Sequence, residues 1–209
     1  YVWIHGGSNN FGTAKQYDGS TLANHSDVVV VVVQYRLGPL GWFFHPAVQT
    51  NGADPLSDSG NFGTLDTIRA LEWVQDNIAA FGGDPDNVTI TGESAGGHNV
   101  LNLLVSPEAG GGLFHRAMSQ SGSMNTRSTA AARNSANQHV EWLIRLLEDR
   151  KTPDTPISAD QARQMREEME AAGTLGEYLR AAQGHDLYQA VVNYSSLSAY
   201  GAIEDGTVI

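Results

Sequence analysis

The chain has 209 residues, 41% hydrophobic and 17% charged, the composition of a globular chain of roughly one-domain size and not of a disordered or fibrous one. Twelve Lys and Arg against 23 Asp and Glu leave a net charge of −11, the wrong sign for a protein that grips a nucleic-acid backbone by displacing its counterions. With no cysteine, disulfides, cysteine-based zinc sites and thiol nucleophiles are excluded.

The acidity divides as −6 over residues 1–150 (8 basic, 14 acidic) and −5 over 151–209 (4 basic, 9 acidic), so it reads as ordinary solvation rather than an acidic tail. The longest apolar run, Val28 to Val33, falls far short of the ~20 residues of a membrane-spanning helix. The chain opens at Tyr1 inside an apolar run, without Met, a basic leader or a cleavage signature. The true N-terminus is therefore expected upstream, and the compartment is not readable.

In chain order, β-rich runs bounded by turn residues occur at Val2–Ile4, Val28–Gln34, Val88–Thr91 and Ala117–Gln120. The second is apolar at consecutive positions, the pattern of a strand covered on both faces of a parallel sheet. Between the second and third, Leu65, Ile68, Leu71, Val74, Ile78 and Phe81 recur at helical spacing, and Gly82-Gly83 follows as a C-terminal cap. A helix between two strands predicts a βαβ crossover, hence an α/β fold with a mostly parallel sheet flanked by helices. After Gly122 the texture becomes Ala-, Gln-, Arg- and Glu-rich. Helices are predicted over Asn134–Leu147 and Ala159–Ala172, separated by a Pro-containing connector, Thr152 to Pro156. No internal repeat or low-complexity tract is visible.

Gly92-Glu93-Ser94-Ala95-Gly96 has the form G-x-S-x-G, which arises by chance roughly 0.07 times in a chain this size at ordinary residue frequencies. A strand precedes it, and a helix predicted from His98 to Val105 follows, ended by Ser106-Pro107. That strand–turn–helix setting is what a nucleophile elbow demands: small residues flank a serine on a sharp turn, and its hydroxyl stands clear of the sheet. Ser94 is therefore the candidate nucleophile; the plain alternative is a Gly/Ser-rich turn. An ester-attacking serine needs donors for the oxyanion, and an elbow supplies the N–H of the next residue, Ala95. Further donors are expected from His5-Gly6-Gly7-Ser8, directly after the first strand, though as a turn alone this loop is unremarkable.

Five stretches, VWIHGGSNNFG, YDGSTLA, QYRLGPLGWF, GNFGTLDTIRALEWVQDNIAAFGGDPDNVTITGESAGG and LFHRAMSQSG, stand in this order from Val2 to Gly122. Together they resemble the type-B carboxylesterase family of α/β-hydrolases, relatives of the cholinesterases. The resemblance is dense from Tyr1 to Ser123 and traceable to Ile209, where Glu204-Asp-Gly-Thr-Val-Ile is similar to a later family element. It implies a serine ester hydrolase without cofactor or metal, Ser94 as nucleophile, and the N–H groups of Gly7, Ser8 and Ala95 as the oxyanion hole. It also implies a carboxylate beside the serine at Glu93, a serine near the catalytic histidine at Ser121, and a structural salt bridge between Arg36 and Asp66. Residues 1–209 would be one incomplete α/β-hydrolase domain, with the sheet, loop and elbow in 1–123 and a mainly helical region in 124–209.

The departures are informative. The family usually has Gly or Ala and then an aromatic after the two glycines, whereas this chain has Ser8-Asn9-Asn10-Phe11, a more polar loop bearing on the acyl pocket. His98 replaces a small residue, and the absence of the cysteines of secreted animal members points to a bacterial-type protein. In the family the triad runs Ser, Glu, His, so both partners of Ser94 are expected beyond Ile209, and earlier strands before Tyr1. The histidines present are poor bases by this reading. His98, at i+4 from Ser94, lies on the helix behind the hydroxyl, and His5 supports the loop. His25, His45, His115, His139 and His185 are assigned to loops or helix surfaces, and no group has metal-ligand spacing. Trp42, Phe43 and Phe44 suit core better than pocket wall.

A serine hydroxyl is a weak nucleophile without a base, and removing a triad histidine costs on the order of a million-fold in turnover. The 209 residues alone are thus expected to be nearly inactive. A non-catalytic adhesion or binding relative is the alternative, but such relatives commonly lose the serine or the oxyanion loop, and both are present here. A lipase or peptidase on the same fold shares the elbow. The particular ester and the oligomeric state are not encoded legibly.

Overall fold

β-Branched and aromatic runs punctuated by glycine, proline and asparagine set out the strands, because such side chains pack well on a pleated surface. A computed structural model describes residues 1–195 and 200–209. Strands β1 (Val2–Ile4), β2 (Val31–Val33), β3 (Thr89–Glu93) and β4 (Arg116–Gln120) form one parallel sheet in the order β2-β1-β3-β4. Val2 of β1 lies between Val31 and Ile90, and Thr91 faces Met118 across the β3–β4 ladder.

Helix α1 (Ser20–Ser26) joins β1 to β2. A four-residue helix α2 (Pro55–Asp58) and then α3 (Phe62–Asn77) lead into β3, and α4 (Ala95–Val105) joins β3 to β4. The remaining chain forms α5 (Thr129–Lys151), α6 (Ala159–Ala171), α7 (Leu175–Ala181) and α8 (Gly184–Tyr194), while β5 (Arg127–Ser128) pairs in parallel with β6 (Ile203–Glu204). No helix among the described residues is long and apolar enough to cross a membrane.

The topology fixes where a ligand can sit. From β1 the chain steps outward to β2, then passes back over β1 to β3 and on to β4. The connections leaving the neighbours β1 and β3 therefore diverge, and in an open parallel sheet the crevice beyond the carboxyl ends of two such strands is the natural binding place. Here it opens between Ile4 and Glu93.

Helix α4 rests on the sheet at backbone distance. A Cβ on Gly96 would stand 2.0 Å from the Ile4 carbonyl oxygen, and one on Gly97 would stand 2.7 Å from that of Gln120. Valines and isoleucines of β1 and β3, with Ile68, Leu71 and Val74 of α3 and Val100 and Leu103 of α4, fill the main core. Two smaller clusters bind the helical region together: Val140, Ile144, Ala162 and Leu175 between α5, α6 and α7, and Leu143, Leu146 and Ala190 between α5 and α8. Helix α6 starts on a full capping box, Ser158 with Gln161, which satisfies two amides that would otherwise be orphaned.

Several expectations shift in detail. The strand expected over Val28–Gln34 is realised over Val31–Val33, the end strand of the sheet among the described residues, with Val28 exposed and Val31 and Val32 half-buried. The stripe holds from Leu65 on α3 to Ile78 at its C-cap, but Phe81 falls in a 3-10 turn past the helix end. There it is exposed and tilts against the Trp73 ring at 5.8 Å. Gly82 closes that turn at φ 83°, as its cap position requires. The helix expected over Asn134–Leu147 runs on to Thr129 and Lys151. Trp42 is core; Phe44 packs against the main cluster and Phe43 against the helical one.

Two histidines assigned to loops or helix surfaces are interior. His45 caps a 3-10 turn, Nδ1 accepting from the Ala47 amide at 3.1 Å, and its Nε2 faces Glu170 Oε1 at 3.2 Å without the alignment of a hydrogen bond. Burial holds its pKa below the usual imidazole value despite that carboxylate. His139 sits on the inner face of α5 between Trp142 and Tyr200, whose hydroxyl is hydrogen-bonded to Nε2 at 3.0 Å. Burial, aided by the nearby Arg127 charge, lowers its pKa to about 4. Helical spacing places a residue on a face; it does not say whether a polar side chain there finds a buried partner.

Two predictions follow from this packing. In Gly96→Ala the new methyl meets backbone that cannot yield, so the variant should lose about 3 kcal/mol, read from the urea midpoint; an unshifted midpoint would mean that α4 does not rest on β1 in this way. For His139 the folded pKa of about 4 lies below the unfolded value, so the unfolded state takes up a proton first as pH falls. Its contribution is complete above pH 6.5 and is lost on acidification to pH 4, about 3 kcal/mol in all. In His139→Gln the difference in stability from wild type should grow smaller over that window by the same order.

Candidate active site

The G-x-S-x-G segment occupies the end of β3 and the first turn of α4. Ser94 sits between them at φ 55°, ψ −120°, a region that costs an L-residue on the order of 1–3 kcal/mol and persists only where surroundings enforce it. Its N–H donates to the Gln120 carbonyl at 2.9 Å, and its carbonyl accepts from His98 N at 3.0 Å. The flanking glycines are steric necessities: a Cβ on Gly92 would stand 2.5 Å from the Gly96 backbone, and Gly96 itself has no room against Ile4. Half-buried Ser94 is thus aimed outward at the positive end of α4. Its Oγ makes no hydrogen bond among the described residues.

The loop after β1 is held open by left-handed backbone. Gly7 has φ 110°, and a Cβ there would stand 2.2 Å from the Phe11 carbonyl oxygen; Ser8 and Asn9 follow, both at φ 56°. The Gly7 carbonyl accepts from the amides of Asn10 (2.9 Å) and Phe11 (3.1 Å). The amides of Gly7, Ser8 and Ala95 donate to no acceptor among the described residues, which leaves three backbone N–H groups for a ligand. Gly6 runs beneath the elbow, a Cβ there falling 2.7 Å from the Glu93 carbonyl oxygen and 3.3 Å from Ser94 Cβ.

A cavity of about 240 Å³ joins these parts. Ser8, Asn9, Ser94 and Ala95 line it with His98 and Asn102 of α4, the segment 125–127, and Tyr200 with Gly201. Gly7 lies just behind Ser8. Exposed Glu93 stands at the tip of β3, its Oε2 3.2 Å from where a Gly6 Cβ would be. Ser121, at φ 53° just past β4, is exposed and does not line the cavity. Arg36 and Asp66 form a two-pronged ion pair, Nε to Oδ2 at 2.8 Å and Nη2 to Oδ1 at 2.7 Å. The Arg36 amide adds a third bond to Oδ2 at 2.8 Å, and the carboxylate holds the guanidinium pKa above its ordinary value. The pair ties the segment after β2 to α3 and, being half-exposed, contributes at most about 1 kcal/mol.

None of the described histidines reaches Ser94 Oγ. His98 borders the cavity, yet its Nδ1 is engaged with Ser123, 2.7 Å from the amide and 2.8 Å from the carbonyl. His5 is fully buried and stacked on Tyr35 at 4.5 Å. Its Nδ1 donates to the Gly6 carbonyl at 2.8 Å, because a carbonyl only accepts. His115 accepts from the Val88 amide at 3.1 Å, and exposed His25 and His185 lie on α1 and α8.

The polar lining was not foreseen from the sequence. Asn102, Arg127 and Tyr200 carry no motif, and Tyr200 arrives from the far end of the chain. Asn9 left a trace as a departure from pattern, though not its partners.

The carboxylesterase family model matches residues 1–198. Human cocaine esterase is 54% identical over 121 residues, 58% of this chain and 20% of its own length. Rat carboxylesterase 1D is 46% identical over 167 residues, 80% of this chain and 27% of its own. A crystal structure of a Geobacillus stearothermophilus carboxylesterase superposes with a TM-score of 0.74 at 37% identity, covering 99% of this chain and 38% of that one. The chain therefore spans well under half the length of these relatives. A strand–elbow–helix unit, an oxyanion-type loop and this breadth of similarity lead to one conclusion: the chain belongs to the carboxylesterase family and carries its α/β-hydrolase fold.

Proposed function

We propose that the full-length protein containing this chain is a serine carboxylic-ester hydrolase with Ser94 as nucleophile. In that reaction Ser94 Oγ bonds to the ester carbonyl carbon while its proton passes to the triad histidine. The carbonyl π electrons move onto oxygen, and the N–H groups of Gly7, Ser8 and Ala95 hold that oxyanion. The tetrahedral species collapses to an acyl-serine as the alcohol leaves with the histidine's proton. Water, deprotonated by the same histidine, repeats the sequence and releases the acid. Each oxyanion donor is typically worth about 3 kcal/mol in the transition state, and the start of α4 adds its positive end.

The observation that carries this reading is that Ser94, Ser8 and Ala95 line one cavity while the three N–H groups and the Ser94 hydroxyl have no partners among the described residues. A structural turn would use at least some of these groups. The family resemblance puts the triad Glu and His beyond Ile209, so residues 1–209 present the nucleophile and supply no base. Glu93 and Ser121 are supporting groups by the same resemblance, beside the serine and toward the histidine respectively. The chemistry calls for no cofactor.

In the full-length protein, Ser94→Ala should reduce hydrolysis of 4-nitrophenyl acetate by on the order of a million-fold, and a fluorophosphonate probe should label the wild type at Ser94 only. Hydrolysis undiminished in Ser94→Ala would remove the assignment. An unlabelled, inactive wild type would instead favour a binding or adhesion role.

A further inference from the structure

Asn9 occupies the loop position where relatives carry an aromatic residue, and it is 2% exposed in the wall of the Ser94 cavity. Its φ of 56° is one that asparagine tolerates better than most residues. Its carbonyl and both polar atoms of its side chain have partners. The backbone carbonyl accepts from the Gly38 amide at 2.7 Å. Nδ2 donates to the Tyr200 carbonyl at 3.0 Å, and Oδ1 accepts from Asn99 Nδ2 at 3.0 Å. Because the Tyr200 oxygen can only accept, the amide orientation is settled, and Oδ1 must face Asn99. Tyr35, whose hydroxyl donates to the His5 carbonyl at 2.6 Å, borders the same Oδ1 at 3.4 Å.

The bond to Asn99 joins the two sources of oxyanion donors. Asn9 directly follows Ser8, so moving it moves the loop amides. Asn99 lies four residues after Ala95, one turn along the same face of α4. Between them runs a bond within a buried pair, Asn99 being 5% exposed, away from competing water. Apolar packing at this point would resist separation of loop and helix but leave sliding cheap, whereas a buried hydrogen bond is directional.

We infer that Asn9 is a positioning residue for the hydrolysis: through Asn99 it fixes the N–H groups of Gly7 and Ser8 relative to that of Ala95, so that all three converge on one oxygen. This rests on the serine-hydrolase reading above. Asn9 acts on the transition state, where the oxygen becomes charged and moves toward the donors, more than on the bound ester.

The test uses the full-length protein with Asn99→Ala, Asn9→Leu and the double variant. Alanine is the best helix former, so Asn99→Ala decides the matter even if Asn9→Leu fails to fold. The measurements are kcat and KM for 4-nitrophenyl acetate, and the inhibition constant of an aryl trifluoromethyl ketone. That ketone adds Ser94 Oγ to its carbonyl carbon and leaves an oxyanion among the same donors. Asn99→Ala should lower kcat by on the order of 100-fold with KM within about threefold, and should weaken the ketone in parallel with kcat/KM. Asn9→Leu should do the same, and the double variant should be no worse than the poorer single, since the two act as one unit. The inference is overturned if folded Asn99→Ala keeps wild-type kcat, if kcat falls while ketone affinity stays, or if the two losses multiply. Ser94→Ala assayed alongside separates the levels: if it remains active, the hydrolase reading itself fails, whereas an inactive Ser94→Ala beside a fully active Asn99→Ala removes only the role of Asn9.

Discussion

Where α4 meets the sheet, there is no side chain between backbone and backbone. The Gly96 Cα lies so close to the Ile4 carbonyl that a methyl would stand 2.0 Å from it, and Gly97 and Gly122 leave the same lack of space toward the end of β4. This contact fixes everything that follows. It brings the start of α4 up to the ends of β1 and β3, so that the chain can turn from strand to helix only through a residue at φ 55°. That residue is Ser94, and the strain is maintained by packing on both sides rather than by any bond of the serine's own side chain. The loop of Gly7 and Ser8 leaves β1 at the very carbonyl against which Gly96 rests, so the proposed nucleophile and the proposed amide donors share one origin.

The same geometry separates presentation of the nucleophile from its activation. Residues 1–209 bring Ser8, Ser94 and Ala95 to one cavity at the start of α4, where backbone N–H groups and the helix N-terminus favour negative charge. Nothing among the described residues removes the serine's proton. His98, the histidine nearest in sequence, is on the helix behind the hydroxyl and bound to Ser123. An imidazole on α4 cannot serve an elbow serine, because the turn that exposes Oγ points it away from the helix that follows. The base must come from an element facing the crevice, which is why a triad is assembled from distant parts of a chain.

Legibility in the sequence followed the length scale of the interaction. The elbow, the stripe from Leu65 to Ile78 and the strands β1, β3 and β4 were readable because glycine sterics and helical or strand periodicity act within a few residues. Unbroken valine over Val28–Gln34 marked a strand, realised at Val31–Val33, but apolarity alone does not set a strand's ends. The fates of His45 and His139 were unreadable for a different reason. Their burial depends on Glu170, Arg127 and Tyr200, residues far away in the chain, and a single imidazole carries no periodic signal. Ser121 matched a family position but stands exposed in this chain, where the resemblance implies its partner histidine comes from beyond Ile209.

Asparagine is the residue type whose importance was least apparent, and the reason is physical. Asn9 and Asn61 each bridge more than 140 positions, Asn9 to Tyr200 and Asn61 to Ile203 and Asp205. Asn61, fully buried before α3, both donates to the Ile203 carbonyl at 2.9 Å and accepts from the Ile203 amide at 2.8 Å. A carboxamide sets a donor and an acceptor side by side as a peptide group does, so it completes a backbone ladder where no strand reaches. Asp205 then caps the amides of Thr207, Val208 and Ile209. In this way the end of the described chain is pinned to the entrance of α3 and to the oxyanion loop. The cavity around Ser94 thus owes its floor to glycine contacts and its wall to buried amides. The first set exact close-packed distances, and the second set the direction in which the loop faces the nucleophile.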